Sequence, residues 1–159
     1  MELRDYTDAD IAFTERLETD PEVMKELGGA VEPSEVPAIH ARRLGTVQGG
    51  DWWFVIEDGG DPVGVIGIWP HEIEGRHEHE VGWMVVPERQ GERIASRALA
   101  KLLDRARAEG PFPVIHAFPG ASNVPSNALC ARAGFERVKS EEVTYKGAPF
   151  LCNQWTLRL

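Results

Sequence analysis

Hydrophobic and polar residues follow two different periods along the chain, and each period predicts a type of element. Apolar or alternating runs, which are typical of strands, occupy residues 3–6, 52–58, 62–70, 80–86 and 114–118. Apolar residues spaced three or four apart, which are typical of helices, occupy residues 8–20, 34–47, 94–109 and 125–133. The tail beyond residue 136 predicts two further strands joined near residues 146–149. This interleaving indicates a mixed α/β architecture.

Composition narrows the class of protein. The chain has 159 residues, which suits one domain over residues 1–159, with 26 acidic and 17 basic side chains and a formal net charge of −9. This acidity argues against nucleic acid as a partner and mildly favours a cationic one. No apolar run approaches the roughly 18 residues of a membrane span, and the N-terminus lacks a leader pattern. We therefore expect a cytoplasmic protein without a membrane partner.

Two groups of residues that are able to bind metal or form disulfides do not by themselves indicate such a site. Cys130 and Cys152 lack CxxC spacing, and we interpret both as reduced thiols. The stretch HEIEGRHEHE (71–80) holds three histidines among acids, and a His-x-His pair is able to bind zinc. An exposed strand end accounts for the same pattern, so we expect no metal.

The segment PERQGERIA (87–95) lies between a predicted strand and the most regular predicted helix. The first backbone N–H groups of a helix lack internal partners and lie at the positive end of its dipole, so an anion is able to bind there. The turn holds one glycine, Gly91, and Arg93 stands where a phosphate-binding loop often has a second. Many strand–turn–helix units bind nothing, so this pattern alone assigns no ligand.

Two motifs make the chain resemble the GCN5-related N-acetyltransferase (GNAT) family. In that family the turn reads Gln/Arg-x-x-Gly-x-Gly/Ala; here Gln90 and Ala95 match, while Arg93 replaces the glycine. Downstream, NVPSNALCARAGF (123–135) is similar to the family's Asn-x-x-Ser/Ala-x-x-Leu-x-x-x-x-Gly-Phe. The resemblance covers essentially the whole chain and extends to the branch of ribosomal-protein alanine acetyltransferases. It implies the GNAT fold, an α/β (α+β) fold with a central mixed, mostly antiparallel sheet of about seven strands and helices on both faces.

The resemblance also implies the acyl donor and the residues that bind it. Acetyl-CoA is the expected donor, with its pyrophosphate on the backbone amides of the turn and its pantetheine arm on the amide of Asn123. A strand N–H is expected to face the thioester carbonyl, where a fixed donor stabilises the developing oxyanion. We expect a negative φ at Arg93, as at most helix entries, with its guanidinium paired to a phosphate oxygen. The expected cofactor-binding residues are Met84, Val85, Val86, Gln90, Gly91, Glu92, Arg93, Ile94, Ala95, Ser96, Asn123 and Ser126.

The attacking amine must lose a proton, because an ammonium group has no lone pair. The stretch HEHEVGW (77–83) supplies the candidates, and strand alternation puts its two histidines on one face and Glu78 and Glu80 on the other. By comparison with the family, His79 is the first candidate for the base and Glu80 the second. A solvated or structural role for either stays open.

The departing thiolate needs a proton in turn. The family frequently supplies it from a tyrosine, and Cys130 occupies that position here. A thiol is able to donate, although it forms weaker hydrogen bonds than a phenol. Cys130 and Ser126 are therefore the candidates, and a small buried hydrophobe is the alternative interpretation of Cys130.

The family implies transfer of an acetyl group from acetyl-CoA to a primary amine, on a small molecule or a protein N-terminus, by direct attack in a ternary complex. Three alternatives stay open. In the first, the donor is a larger acyl-CoA such as succinyl-CoA, whose extra carboxylate would bind Arg42 or Arg43. In the second, the chain is a non-catalytic regulatory domain that binds acyl-CoA. In the third, it is a structural or interaction protein that has the fold but does not bind the cofactor. A homodimer formed with the C-terminal strands is also open.

Overall fold

The computed structural model describes residues 1–159 and contains seven strands and five α-helices. The strands are β1 (Glu2–Asp5), β2 (Trp52–Asp58), β3 (Asp61–Ile73), β4 (Arg76–Val85), β5 (Val114–Ala117), β6 (Glu136–Tyr145) and β7 (Ala148–Arg158). The helices are α1 (Ile11–Glu18), α2 (Pro21–Met24), α3 (Val36–Gln48), α4 (Ile94–Glu109) and α5 (Val124–Arg132). None of these helices combines the length and the apolar character that crossing a bilayer requires.

All seven strands join one sheet in the order β1-β2-β3-β4-β5-β7-β6. Neighbouring strands are antiparallel throughout, except for β4 and β5, which run parallel. The predicted fold class, a mixed and mostly antiparallel sheet combined with helices, is therefore confirmed. The parallel pair lies at the centre of the sheet, and a parallel connection needs a crossover, which the turn after β4 and helix α4 provide.

The apolar stripe of α4 fixes the position of the turn that precedes it. Ile94, Ala98 and Leu102 recur every four residues and are at most 1% exposed, within the main hydrophobic core. Burial of a large aliphatic side chain contributes roughly 1.5–3 kcal/mol, so this stripe holds the helix firmly against the sheet. The N-terminal end of α4 is thereby held beside the end of β4, which it contacts.

The β3–β4 hairpin is longer than the hydrophobic pattern predicts. β3 continues to Ile73 and β4 begins at Arg76. Glu74 and Gly75 join them with φ angles of 51° and 74°, the left-handed conformation that suits the twist of a two-residue hairpin. Polar residues at the tip conceal this extension in the sequence. As a consequence, His71 belongs to β3 and lies beside β4.

Candidate active site

β4 and β5 separate at the centre of the sheet. Their ladder consists of the pair Glu80↔His116, while β5 stays paired with β7 along its whole length. A cavity of about 1050 Å³ opens between the two strands, which is space enough for a cofactor-sized ligand and a second molecule. Its walls come from residues 80–85 of β4, parts of β2 and β3, residues 117–119 at the end of β5, the turn before α4 with the start of that helix, and α5 with the residue before it. The segment from α1 to α3 and the tip of the β6–β7 hairpin complete them.

β4 presents the backbone of Val85 to this cavity. The N–H of Val86 donates to the Val63 carbonyl at 3.0 Å, and because antiparallel bonds alternate along a ladder, the N–H of Met84 faces β3 as well. The N–H of Val85 therefore faces the opening, and its carbonyl accepts a hydrogen bond from Gln90 Nε2 at 3.1 Å. Of the three expected strand donors, Val85 is in position, whereas the N–H groups of Met84 and Val86 belong to the sheet.

The turn between β4 and α4 contains two left-handed residues. Gly91 has a φ of 82°, and Arg93, the N-cap of α4, has a φ of 60°. The expectation of a negative φ at Arg93 is therefore wrong. The chain enters α4 from the short 3₁₀ segment Pro87–Arg89 through a left-handed residue, a conformation that costs a side chain with a Cβ about 1–2 kcal/mol. This requirement explains the glycine in the family pattern.

The side chains of the turn divide between the cavity and the protein surface. Glu92 does not line the cavity. Its carboxylate accepts from Arg89 Nε at 2.9 Å, and Arg89 Nη2 also donates to Asp58 at 2.6 Å, which ties the turn to the end of β2. Arg93 is exposed and belongs to no ion pair of the chain. The expected binding residues that line the cavity here are Gln90, Gly91, Arg93, Ile94, Ala95 and Ser96.

Helix α5 begins with a side-chain cap that faces the cavity. Oδ1 of Asn123 accepts from the backbone N–H of Ser126 at 3.1 Å, and both residues line the cavity. Capping occupies only the oxygen of the Asn123 amide. The Nδ2 group of Asn123 and the hydroxyl group of Ser126 have no partner within the chain, so both are free to bind a ligand.

Cys130 is fully buried and does not line the cavity. Burial raises the pKa of its thiol to about 12, because a thiolate is poorly stabilised away from water. Because this thiol does not reach the cavity, it has no path along which to deliver a proton to a leaving thiolate there. The structure favours the alternative interpretation, a small buried hydrophobe. Ser126 is the remaining candidate acid.

Asn127 holds α5 against β7, a role that the sequence did not reveal. Its Nδ2 donates to the carbonyls of Gly120 at 2.9 Å and Asn123 at 2.8 Å. Its Oδ1 accepts from Asn153 Nδ2 at 2.7 Å and from Trp155 Nε1 at 2.9 Å. Every polar group of this side chain is therefore satisfied. In the sequence, the indication of this role is that a polar residue, Asn127, lies one helical turn after the cap residue Asn123.

His79, the first candidate base, faces away from the cavity. Its ring packs edge-on against Phe112 with centroids 4.8 Å apart, and its Nε2 lies 3.8 Å from Asp51 Oδ1. Glu80, one residue later, does line the cavity. As predicted, His79 and Glu80 lie on opposite faces of the strand, but the face that lines the cavity is that of Glu80 and not that of His79.

Glu80 is paired with His71, a residue that the sequence did not nominate. The Nδ1 atom of His71 lies 2.8 Å from Oε2 of Glu80, both line the cavity, and the imidazole stacks on Phe118 with centroids 4.9 Å apart. The hydrogen bond to Glu80 raises the pKa of His71 above its ordinary 6.5, although burial opposes this effect. No group of three or more His, Cys, Asp or Glu side chains is arranged to hold a metal ion.

Two stacked tryptophans form a wall of the cavity away from the turn. Trp53 and Trp69 lie parallel, with centroids 4.8 Å apart and planes 6° apart. Glycines on the same sheet face make room for them. A Cβ at Gly67 would lie 2.7 Å from the Trp53 ring, and a Cβ at Gly82 would lie 2.5 Å from Trp69. We call Trp53 and Trp69 the tryptophan wall.

A buried ion pair continues the tryptophan wall toward the helices. Arg43 of α3 donates to Glu18 of α1, and both side chains are at least nine-tenths buried. The Arg43 guanidinium also lies over Trp53, 4.6 Å from the ring centroid, a cation–π arrangement. The β6–β7 hairpin covers the same end: Tyr145 and Lys146 line the cavity, and Lys146 Nζ donates to the Gly29 carbonyl at 2.9 Å. This end of the cavity, opposite the turn, is called the acceptor end below.

Comparisons with known proteins agree with this geometry. The model of the acetyltransferase (GNAT) domain family matches residues 1–136. The structure is similar to ribosomal-protein-alanine N-acetyltransferase from Brucella melitensis, with a TM-score of 0.82, 24% identity and 100% coverage of both chains. It is similar to RimL, a ribosomal L7/L12 alpha-N-protein acetyltransferase in complex with coenzyme A, with a TM-score of 0.83, 16% identity and coverage of 99% and 93%.

A third relative is yncA, a putative acetyltransferase from Salmonella typhimurium with its cofactor acetyl-CoA, at a TM-score of 0.77, 22% identity and coverage of 100% and 94%. No curated protein matches the chain by sequence. At identities below 25%, these structural relatives support the fold alone. The family match spans most of the chain, and both sequence motifs contribute residues to the walls of the cavity. The chain therefore belongs to the GNAT acetyltransferase family and is an acyl-CoA-dependent N-acetyltransferase.

Proposed function

We propose that the protein transfers an acetyl group from acetyl-CoA to an amine by direct attack in a ternary complex. The observation that carries this proposal is the opening between β4 and β5, where the N–H of Val85 and the His71–Glu80 pair line one cavity. Two structural relatives, solved with coenzyme A or acetyl-CoA, support the identity of the donor. The volume of the cavity accommodates both substrates.

The turn end of the cavity fits the donor. The residues available to hold its phosphates are the N-terminal turn of α4 and the side chain of Arg93, which has no acidic partner. The Nδ2 group of Asn123 is free for an amide carbonyl on the arm. Acetyl-CoA, when bound, supplies an activated acyl group. The N–H of Val85 is the donor placed to stabilise negative charge on an acyl oxygen, a preorganised contact that lowers the barrier.

We assign the proton acceptor to His71, with Glu80 as its positioning residue. In the neutral ring, Nδ1–H donates to the Glu80 carboxylate, and Nε2 keeps the lone pair that accepts a proton from the amine. The raised pKa of His71 makes the neutral imidazole a stronger base than an isolated histidine. We assign the return of a proton to the leaving thiolate to Ser126, and the support for this is that its hydroxyl has no partner within the chain and lines the cavity.

Calorimetry with acetyl-CoA and release of free CoA thiol across a panel of amines test this function. We expect binding of acetyl-CoA and amine-dependent release of thiol. His71→Ala should lower kcat about 10²- to 10⁴-fold, the range of a general base. His77→Ala is the matched control, since His77 is exposed on β4 and does not line the cavity. Absence of binding at millimolar acetyl-CoA would refute the proposal.

The regulatory-domain alternative predicts binding without turnover. It was motivated by Arg93 and Cys130, two departures from the family pattern. In the structure Arg93 adopts the left-handed conformation that the family glycine would adopt, and Cys130 packs as a buried apolar residue. The cavity is present with both departures, so both are compatible with catalysis. Tight binding with no thiol release across the panel would favour the regulatory role.

A further inference from the structure

Acidic and basic side chains balance at the acceptor end. Outside the turn and helix α5, four lysines or arginines and four glutamates line the cavity. Several of them pair with each other, as Arg43 does with Glu18 and Lys25 with Glu22. The mild preference for a cationic partner that the overall acidity indicated therefore has no support in this wall. The apolar side chains of the acceptor end are what distinguishes it.

The tryptophan wall is part of a larger apolar surface. Met24 and Leu27, at the end of α2 and after it, line the cavity, and so does Ile39 of α3. Ile39 precedes Arg43 by four residues, so both lie on one face of α3, the face that meets Trp53. Burial of apolar surface is therefore the main source of binding free energy that this end offers to a ligand.

Both faces of Trp53 are covered. The Arg43 guanidinium lies 4.6 Å from the centroid of its ring, and the Trp69 ring lies 4.8 Å from it and parallel to it. Two groups cannot occupy the same space over one ring, so they cover opposite faces. Arg43, Trp53 and Trp69 therefore form one stack, and Trp69 is its outermost layer.

The other face of Trp69 is open to the cavity. A Cβ at Gly82 would lie 2.5 Å from Cη2 of Trp69 but 3.3 Å from Cζ3 and 3.5 Å from Cζ2, so it would meet the edge of the indole and not its face. Trp53 covers one face, and no other ring or cation of the chain stacks on Trp69. Since Trp69 lines the cavity, its second face is available to a ligand.

This open face lies beside the proposed base. Trp69 pairs directly with Glu80 across β3 and β4, and His71 follows Trp69 by two residues on the same sheet face. Two residues along a strand span about 7 Å. A chain of two or three atoms is therefore long enough to join a ring packed on Trp69 to an amine at His71.

The proposed donor site does not use this surface. The opening proposed for the thioester separates β4 from β5. Trp53 and Trp69 belong to β2 and β3, which lie on the other side of β4 in the sheet. The pantetheine arm, proposed to lie near Asn123 of the α5 cap, is on the β5 side. The tryptophan wall is therefore available to the acceptor.

The segment after α2 bridges the cavity at the acceptor end. It contacts the β6–β7 hairpin, where Lys146 Nζ donates to the Gly29 carbonyl at 2.9 Å. It also contacts the loop before α5, where the Ser122 hydroxyl donates to Glu26 at 2.9 Å. Three segments distant in sequence thus meet at this end, which leaves less room for a polypeptide than for a small molecule.

We propose that the acceptor is a small primary amine with an aromatic ring on a short chain, and that this ring packs on the open face of Trp69 while the amine lies at the His71–Glu80 pair. This inference rests on the proposed acetyl transfer and specifies its substrate class. Aromatic contacts add to the burial of apolar area, so an aromatic ring is preferred over an aliphatic group of equal size.

Amines of graded shape test the inference. Initial rates of acetyl transfer are measured for phenethylamine, cyclohexylethylamine, propylamine, the linear diamine putrescine, and short peptides that begin with phenylalanine or alanine. We expect kcat/KM for phenethylamine to exceed that for propylamine about 10- to 100-fold, through burial of the ring. It should exceed that for cyclohexylethylamine about 3- to 10-fold, the range of an aromatic pair.

Trp69→Leu should raise the KM for phenethylamine about 10-fold and reduce the preference for phenethylamine over cyclohexylethylamine to about one. Trp69→Phe should retain that preference with a higher KM, because its smaller ring keeps an aromatic face. Trp52→Leu is the matched control and should behave as wild type, since Trp52 packs against Phe112 at 5.0 Å and lies outside the cavity wall. Unchanged affinity for acetyl-CoA in calorimetry shows that each variant is folded.

The outcomes separate this inference from the proposed function. If no amine of any class releases thiol, acetyl transfer fails and the inference fails with it. Transfer to propylamine or putrescine that equals or exceeds transfer to phenethylamine supports the proposed function and overturns the inference. Faster transfer to the phenylalanine peptide than to phenethylamine contradicts a small-molecule acceptor. An aromatic preference that persists unchanged in Trp69→Leu would show that another surface binds the ring.

Discussion

His71 and Glu80 form a hydrogen-bonded pair across β3 and β4, with Nδ1 and Oε2 2.8 Å apart in the wall of the central cavity. His71 follows Trp69 by two residues on β3, and Trp69 pairs directly with Glu80. The two side chains therefore lie on one sheet face, diagonal to each other across the ladder. This relationship places the proposed base beside the opening between β4 and β5, and it predicts a measurable pH dependence for the proposed acetyl transfer.

The pH profile of kcat/KM should have its acidic limb above pH 6.5. The proposed base is neutral His71, and Glu80 raises the pKa of this imidazole above its ordinary 6.5. Activity is therefore lost as pH falls through the raised value. Glu80→Gln removes the main cause of the shift, and burial then lowers the pKa, so the limb should move toward more acidic pH. A limb that does not move in this variant would contradict the assignment.

The same pair contributes to folding stability in the opposite pH range. Because the pKa of His71 is higher in the folded state, the contribution is fully present below about pH 6.5 and is lost as pH rises through the folded value. The difference in free energy of unfolding between wild type and Glu80→Gln, measured by urea titration, should therefore shrink at alkaline pH.

Arg93→Gly should stabilise the fold and weaken binding of acetyl-CoA. Glycine adopts a φ of 60° without strain, so the free energy of unfolding should rise by about 1 kcal/mol. Loss of the guanidinium should raise the KM for acetyl-CoA with little change in kcat. Glu74→Gly is the control, because Glu74 has a φ of 51° and lies outside the cavity wall. Tighter binding of acetyl-CoA by Arg93→Gly would show that the arginine obstructs the site.

Gly82→Ala should disturb the tryptophan wall. The added Cβ would lie 2.5 Å from Trp69, so the indole must move out of its stack with Trp53. We expect a loss of about 1–3 kcal/mol in stability and a higher KM for the amine. Gly45→Ala is the matched control: nothing lies within 4 Å of its added Cβ in α3, and alanine should stabilise the helix by about 0.5–1 kcal/mol. An unchanged KM for the amine in Gly82→Ala would remove the wall from acceptor binding.

Cys130→Ala and Ser126→Ala should separate a buried hydrophobe from a proton donor. Cys130→Ala should keep kcat within about twofold at saturating acetyl-CoA and lower stability by about 1 kcal/mol, because it leaves a small cavity in the core. Ser126→Ala should lower kcat about 10²-fold or more, the range of a general acid. It should leave the cap of α5 intact, because that cap joins the Asn123 side chain to the backbone N–H of residue 126. The reverse ranking of the two rates would assign the acid to Cys130.

The sequence by itself predicted the order of the strands and of the four longer helices, the fold class and the two segments that we propose bind the cofactor, but it did not predict the short helix α2. The helical period was sufficient to predict α4, because apolar residues spaced like Ile94, Ala98 and Leu102 form one face of a helix, and that face is buried in the core. The motifs around residues 90–95 and 123–135 were visible because they depend on local backbone geometry, which neighbouring residues specify.

The tertiary structure alone decided which side chains meet. His71 and Glu80 are nine residues apart in sequence, and only the extended β3–β4 hairpin, concealed by its polar tip, sets the register that pairs them. His79 and Glu80 are chemically plausible bases in the sequence, yet one step along a strand reverses the face of the sheet. The ion pair between Arg43 and Glu18 likewise joins two segments distant in sequence, which no local pattern encodes.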